Sequence, residues 1–123
     1  MIKLFAISFA LASILIAFTI VTFCGQMFRC GCTLASGLTY CNIHQAALHS
    51  CPWCSRGKTE FTLWMLGIFG GTAITILAAL QRIGPRLWIG MAAGLAGYLF
   101  WGSVFGLATA LIDRYPVFFG FRI

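Results

Sequence analysis

The sequence predicts an all-α membrane protein with three transmembrane helices and a Cys/His-rich extramembrane loop between helices 1 and 2. Three observations carry this reading. Of the 123 residues, 61% are hydrophobic and 8% charged, and the mean hydropathy is +0.98, more apolar surface than a water-soluble fold of this length can cover. The apolar residues gather in three stretches, 4–23, 61–80 and 87–112, none holding a charged residue. Each matches the roughly 20 residues that a helix needs to cross the hydrocarbon core. Five of the six cysteines and both histidines fall in the polar segment between the first two stretches.

Residues 1–24 form the first predicted span. Lys3 followed by an apolar run also fits a secretory signal, but the run exceeds a usual signal core, and bulky Phe23 before Cys24 is unsuited to lipoprotein cleavage. A permanent helix is expected. Its small residues Ala6, Ala10, Ser13 and Ala17 recur at steps of three and four, which puts them on one face and predicts that face as the packing surface. Residues 25–60 form the loop. It has few large aliphatics, and so short a segment seldom folds on a hydrophobic core alone.

The second span, residues 61–81, has a stripe of Gly67, Gly71, Thr75 and Ala79; the third, residues 87–112, has Gly90 and Gly94, then Gly102, Gly106 and Ala110. Lipid supplies little hydrophobic force between helices, so close backbone approach at small residues is their main route to association. Residues 82–86 make a short connection whose Gly84-Pro85 pair ends one helix and starts the next. An antiparallel helical hairpin results. Residues 113–123 read as an aromatic interfacial tail: Pro116 stops the helix, and Tyr115, Phe118, Phe119 and Phe121 favour the lipid border.

The net charge of +6 is spread along the ends of the spans, beside headgroups of the lipid bilayer. A nucleic-acid partner would need the basic residues gathered on one face with exposed aromatics, and is excluded. With the N-terminus inside, Lys3, Arg82 and Arg86 are cytoplasmic, while Arg29, Arg56, Lys58, Arg114 and Arg122 lie opposite. The count of positive residues favours the inverse. The short basic hairpin and the signal-anchor character of the start favour N-inside, which makes the loop of this multi-pass cell-membrane protein extracytoplasmic.

The loop carries the chemistry. Cys30-x-Cys32, Cys41-x2-His44 and Cys51-x2-Cys54 have the spacings by which a turn of backbone lets two side chains reach one ion. Cys51-Pro-Trp-Cys54-Ser-Arg-Gly57 resembles the knuckle of zinc-ribbon proteins, with Ser55 where the knuckle has glycine. That resemblance, joined to Cys41 and His44, implies a Cys3His zinc site at Cys41, His44, Cys51 and Cys54. Cys30, Cys32 and His49 stand as possible further ligands. Cys-x-Cys beside histidines also suits copper as Cu(I), and the alternative to any metal is a set of disulfides, which an oxidising compartment would preserve. Cys-Pro-Trp-Cys is similar in pattern to thioredoxin-like oxidoreductases, which would make Cys51 and Cys54 redox-active thiols.

No catalytic constellation emerges. The two carboxylates, Glu60 and Asp113, are separated by two predicted spans, and neither a Ser-His-Asp order nor a glycine-rich phosphate loop occurs. The spans hold too few polar groups for an ion pathway. The expectation is a protein that is not an enzyme alone and has no small-molecule substrate. It reads as an accessory subunit of a larger membrane complex, its metal-binding loop docking on other membrane protein subunits, the alternatives being a copper-binding accessory or chaperone and a membrane thiol-disulfide oxidoreductase. Cys24 reads as a small buried thiol. Trp53, Trp64, Trp88 and Trp101 read as packing or lipid-border residues.

Overall fold

The computed structural model describes residues 1–29, 53 and 58–123. Three α-helices dominate, α1 (Ile2–Phe28), α2 (Lys58–Arg82) and α3 (Leu87–Ile112), followed by a two-stranded antiparallel hairpin of β1 (Val117–Phe118) and β2 (Phe121–Arg122). All three helices are long and apolar enough to cross a membrane. Residues 30–57 of the Cys/His-rich segment lie between α1 and α2, and of them only Trp53 is among the described residues.

The chain divides into two compact units. One joins Met1–Ala17 to Met65–Gly102. Its core is Ala12, Ile76, Leu80 and Ile89, with Phe5 and Phe9 of α1 and Ala93 of α3 packed against it. Here α1 meets α3 at small residues: a Cβ on Gly94 would come within 3.0 Å of the Ala12 methyl, and one on Gly90 would collide with the Ser8 hydroxyl. The Ser8 Oγ is fully buried and has no hydrogen-bond partner among the described residues. Gly97 leaves room for Thr72 and Thr75 of α2, and Gly71 gives its space to the Trp101 ring. Gly70 has no neighbour within 4 Å of where a Cβ would stand.

The α1 face differs from the expectation. Ala6, Ala10 and Ala17 are exposed, and the buried positions in this unit are Ser8, Ala12 and Ile16. Small residues occur on more than one face of α1, so their presence alone does not select one. Ser8 and Ala12 are four residues apart, as are Gly90 and Gly94, and this match of intervals lets both backbones close at successive turns.

The second unit joins Phe18–Trp64 to Ser103–Ile123. It keeps α1 helical to Phe28, beyond the predicted end of the span, because Met27 and Phe28 have partners there. Met27 occupies the space beside Gly106, and Phe28 makes edge contacts with Tyr115 and Phe118. Ile20, Cys24, Met27 and Phe28 are the buried face of α1 in this unit. At the other side of the loop, α2 starts at Lys58 with Glu60 in its first turn, where a carboxylate favours the positive end of the helix dipole.

α3 ends in a Schellman motif: Tyr115 N–H donates to the Ala110 carbonyl at 2.8 Å and Arg114 N–H to that of Leu111 at 3.3 Å. Arg114 takes the left-handed φ of 51° that glycine usually supplies there. The residues that follow turn back on the chain. Phe119 and Gly120, both at positive φ, form the two-residue loop joining β1 to β2, as a type I′ turn requires. Phe119 N–H donates to the Met27 carbonyl at 2.8 Å, satisfying an end of α1 that helix geometry leaves open. Of the tail's aromatics Tyr115 is buried and Phe119 and Phe121 are exposed.

Candidate functional site

The ligand residues proposed from the sequence, Cys41, His44, Cys51 and Cys54 with Cys30, Cys32 and His49, lie outside the described residues. Among the described residues no three His, Cys, Asp or Glu side chains come together as a metal-holding group. What the structure describes is the anchor of that segment. Trp53, between Cys51 and Cys54 in sequence, is only 2% exposed.

Its indole is held on two sides within the second unit. The Nε1–H donates to the Thr109 hydroxyl of α3 at 3.1 Å, and the ring meets Phe28 of α1 edge to face, with centroids 5.6 Å apart. Thr109 is itself completely buried and donates its hydroxyl to the Phe105 carbonyl one turn back, at 2.8 Å. The hydroxyl therefore donates to a carbonyl that the helix ladder leaves with a spare lone pair and accepts from the indole. Phe28 passes the contact on to Tyr115 and Phe118. Trp53, the third residue of the Cys-Pro-Trp-Cys sequence, is thus seated against α1 and α3.

Energetics favour a firm tether. Burying an indole contributes several kcal/mol by area, each aromatic edge contact adds about 0.5–1.5 kcal/mol, and the buried hydrogen bond adds about 1 kcal/mol. In sequence Trp53 reads as a packing or lipid-border residue, with no sign of its partners. Thr109 carries no motif, and Phe28 fell in the segment read as loop; only the fold pairs them.

The same device occurs in the first unit. Trp101 Nε1–H donates to the Thr75 hydroxyl at 3.1 Å, and Thr75 donates to the Gly71 carbonyl at 2.9 Å. There it locks α3 to α2, with Gly71 giving the ring its space. Trp64 packs on Phe105 with centroids 5.5 Å apart, and these two with Glu60 and Leu63 line a shallow cleft of about 330 Å³. Trp88 is 62% exposed on the flank of α3. Cys24 is a buried thiol.

The glycines proposed for helix packing are placed as follows. Gly71, Gly90, Gly94, Gly102 and Gly106 are buried and Gly67 is half-buried. At Gly71 the obstacle to any side chain is a rigid ring, and at Gly106 it is the flexible end of Met27 with the Phe118 ring behind. Compared with protein-family models, curated proteins and solved structures, the chain matches none.

Proposed function

We propose that this chain is a small accessory subunit of a larger integral membrane complex, and that its Cys/His segment binds a soft metal ion, zinc first, to make a docking surface for partner subunits. The observation that carries this reading is the tethering of the Cys-Pro-Trp-Cys sequence: Trp53 is buried on Thr109 and Phe28, while two cysteines flank it and paired Cys and His residues precede it. A segment this poor in apolar residues needs a staple, and structural zinc supplies on the order of 10 kcal/mol. Two histidines that occur nowhere else in the chain favour a metal over disulfides, which have no use for them. The chain's two carboxylates, Glu60 and Asp113, offer no acid-base pair for catalysis, which supports a role within a complex.

Elemental analysis of the purified protein, run beside thiol counting, tests the reading. Zinc at one or two ions per chain, lost in a Cys51→Ser, Cys54→Ser double variant, is the expected result. Copper in its place selects the copper-accessory role suggested by Cys30-x-Cys32. A metal-free protein, whether its thiols are cross-linked or not, overturns the metal site.

A further inference from the structure

The C-terminal hairpin and the end of α1 carry a second feature, independent of any metal. Arg29, directly after α1, has a left-handed φ of 49°, which costs a residue with a side chain about 1–2 kcal/mol. Its guanidinium lies against the hairpin turn: a Cβ on Gly120 would stand 2.7 Å from Nη2, and Gly120 itself has a φ of +83°. The Phe119 N–H bond to the Met27 carbonyl fixes the turn to the last residues of α1. Arg29 is thus an exposed side chain whose guanidinium lies beside the hairpin turn.

Arg122 follows Gly120 by two residues on β2, so its Cα lies within about 7 Å of that of Gly120, and its side chain can reach a group bound beside Arg29. Neither guanidinium has a hydrogen-bond or ion-pair partner among the described residues. Phe119 and Phe121, 42% and 76% exposed, flank Gly120 in the chain. Two guanidiniums without acceptors among the described residues, two exposed aromatic rings and the ends of two membrane-crossing helices are what the headgroup region of a lipid would meet.

We propose that Arg29 and Arg122 form a headgroup site for an anionic phospholipid, taking its phosphate between two guanidinium forks, with Phe119 and Phe121 beside the upper acyl chains. Planar, always-charged guanidinium suits this role better than an ammonium, because its paired N–H groups match two phosphate oxygens. Gly120 is a positioning residue, since any side chain there displaces Arg29.

The test is lipid retention by the full chain, reconstituted in phosphatidylcholine nanodiscs with a minor share of phosphatidylglycerol and read by native mass spectrometry. Phosphatidylglycerol should be enriched on the wild type, and Arg29→Gln or Arg122→Gln should weaken its binding roughly tenfold, the loss of about 1.4 kcal/mol of charge-assisted bonding. Arg29→Lys should fall between, and Gly120→Ala should lower retention with every charge kept. Arg86→Gln, removing an exposed arginine from the α2–α3 connection, should change little. Equal loss in Arg86→Gln and Arg29→Gln, or no preference for the anionic lipid, would overturn the site; displacement of the lipid by millimolar inorganic phosphate would make it a site for free phosphate and overturn the lipid assignment.

Discussion

At the residue scale the decisive side chain is Trp53. Its hydrogen bond to Thr109 and its edge contact with Phe28 separate into two contributions that substitutions can isolate. Trp53→Phe keeps a ring and loses the donor, so it should cost about 1 kcal/mol, while Trp53→Ala also empties the socket and should cost about 3–5 kcal/mol. Thr109→Val removes the acceptor, and Thr109→Ser retains it. Denaturation of the protein in mild detergent, followed by helical circular dichroism, should rank them Thr109→Ser, Thr109→Val, Trp53→Ala in order of increasing loss. A Thr109→Val variant as stable as wild type would mean that the bond contributes nothing net.

Among the elements, the helices read at very different levels of detail from the sequence. Their existence was plain from the charge-free apolar stretches, and the Gly84-Pro85 break between α2 and α3 was equally plain. The face of α1 was not. Ala6, Ala10 and Ala17 satisfy the spacing rule and are exposed, because the rule names faces that permit close approach and only the partner's intervals choose one. The extra turn of α1 to Phe28 and the folding back of the tail were also illegible, since both depend on aromatic contacts between residues about 90 positions apart in the chain. Glycine substitutions test the packing at this scale. Gly71→Ala meets the Trp101 ring and should destabilise by about 1–3 kcal/mol, whereas Gly70→Ala, facing open space, should be neutral or stabilise by up to about 1 kcal/mol. Thermal melts of the two variants in one detergent decide it, and equal effects would mean that α2 and α3 are not closely packed at Gly71.

For the whole molecule, the proposed metal would link the segment between α1 and α2 to the helices through Trp53. Protons compete with the ion for thiolate and imidazole ligands, so affinity falls as pH falls. Treatment with a chelator at neutral pH, or acidification without it, should therefore lower the melting temperature and change the emission of the tryptophan in the Thr109 socket. The Trp53→Phe variant should lose that fluorescence response while still releasing its metal. A metal-loaded protein whose melting is indifferent to chelation would separate the segment energetically from the helices.

The sequence by itself determined the number of membrane crossings, their connection at Gly84-Pro85 and the concentration of soft donors between the first two helices. These follow from composition along the chain: hydrocarbon thickness sets the length of an apolar run, and charge is excluded from it whatever the neighbours are. Only the tertiary structure decided that Ser8 and Ala12 meet Gly90 and Gly94, that Thr109 and Phe28 receive Trp53, and that Gly120 makes room for Arg29. Helix packing in lipid depends on the match of two surfaces at van der Waals distance, and that match is a property of pairs of segments, which no single segment carries in its own residues.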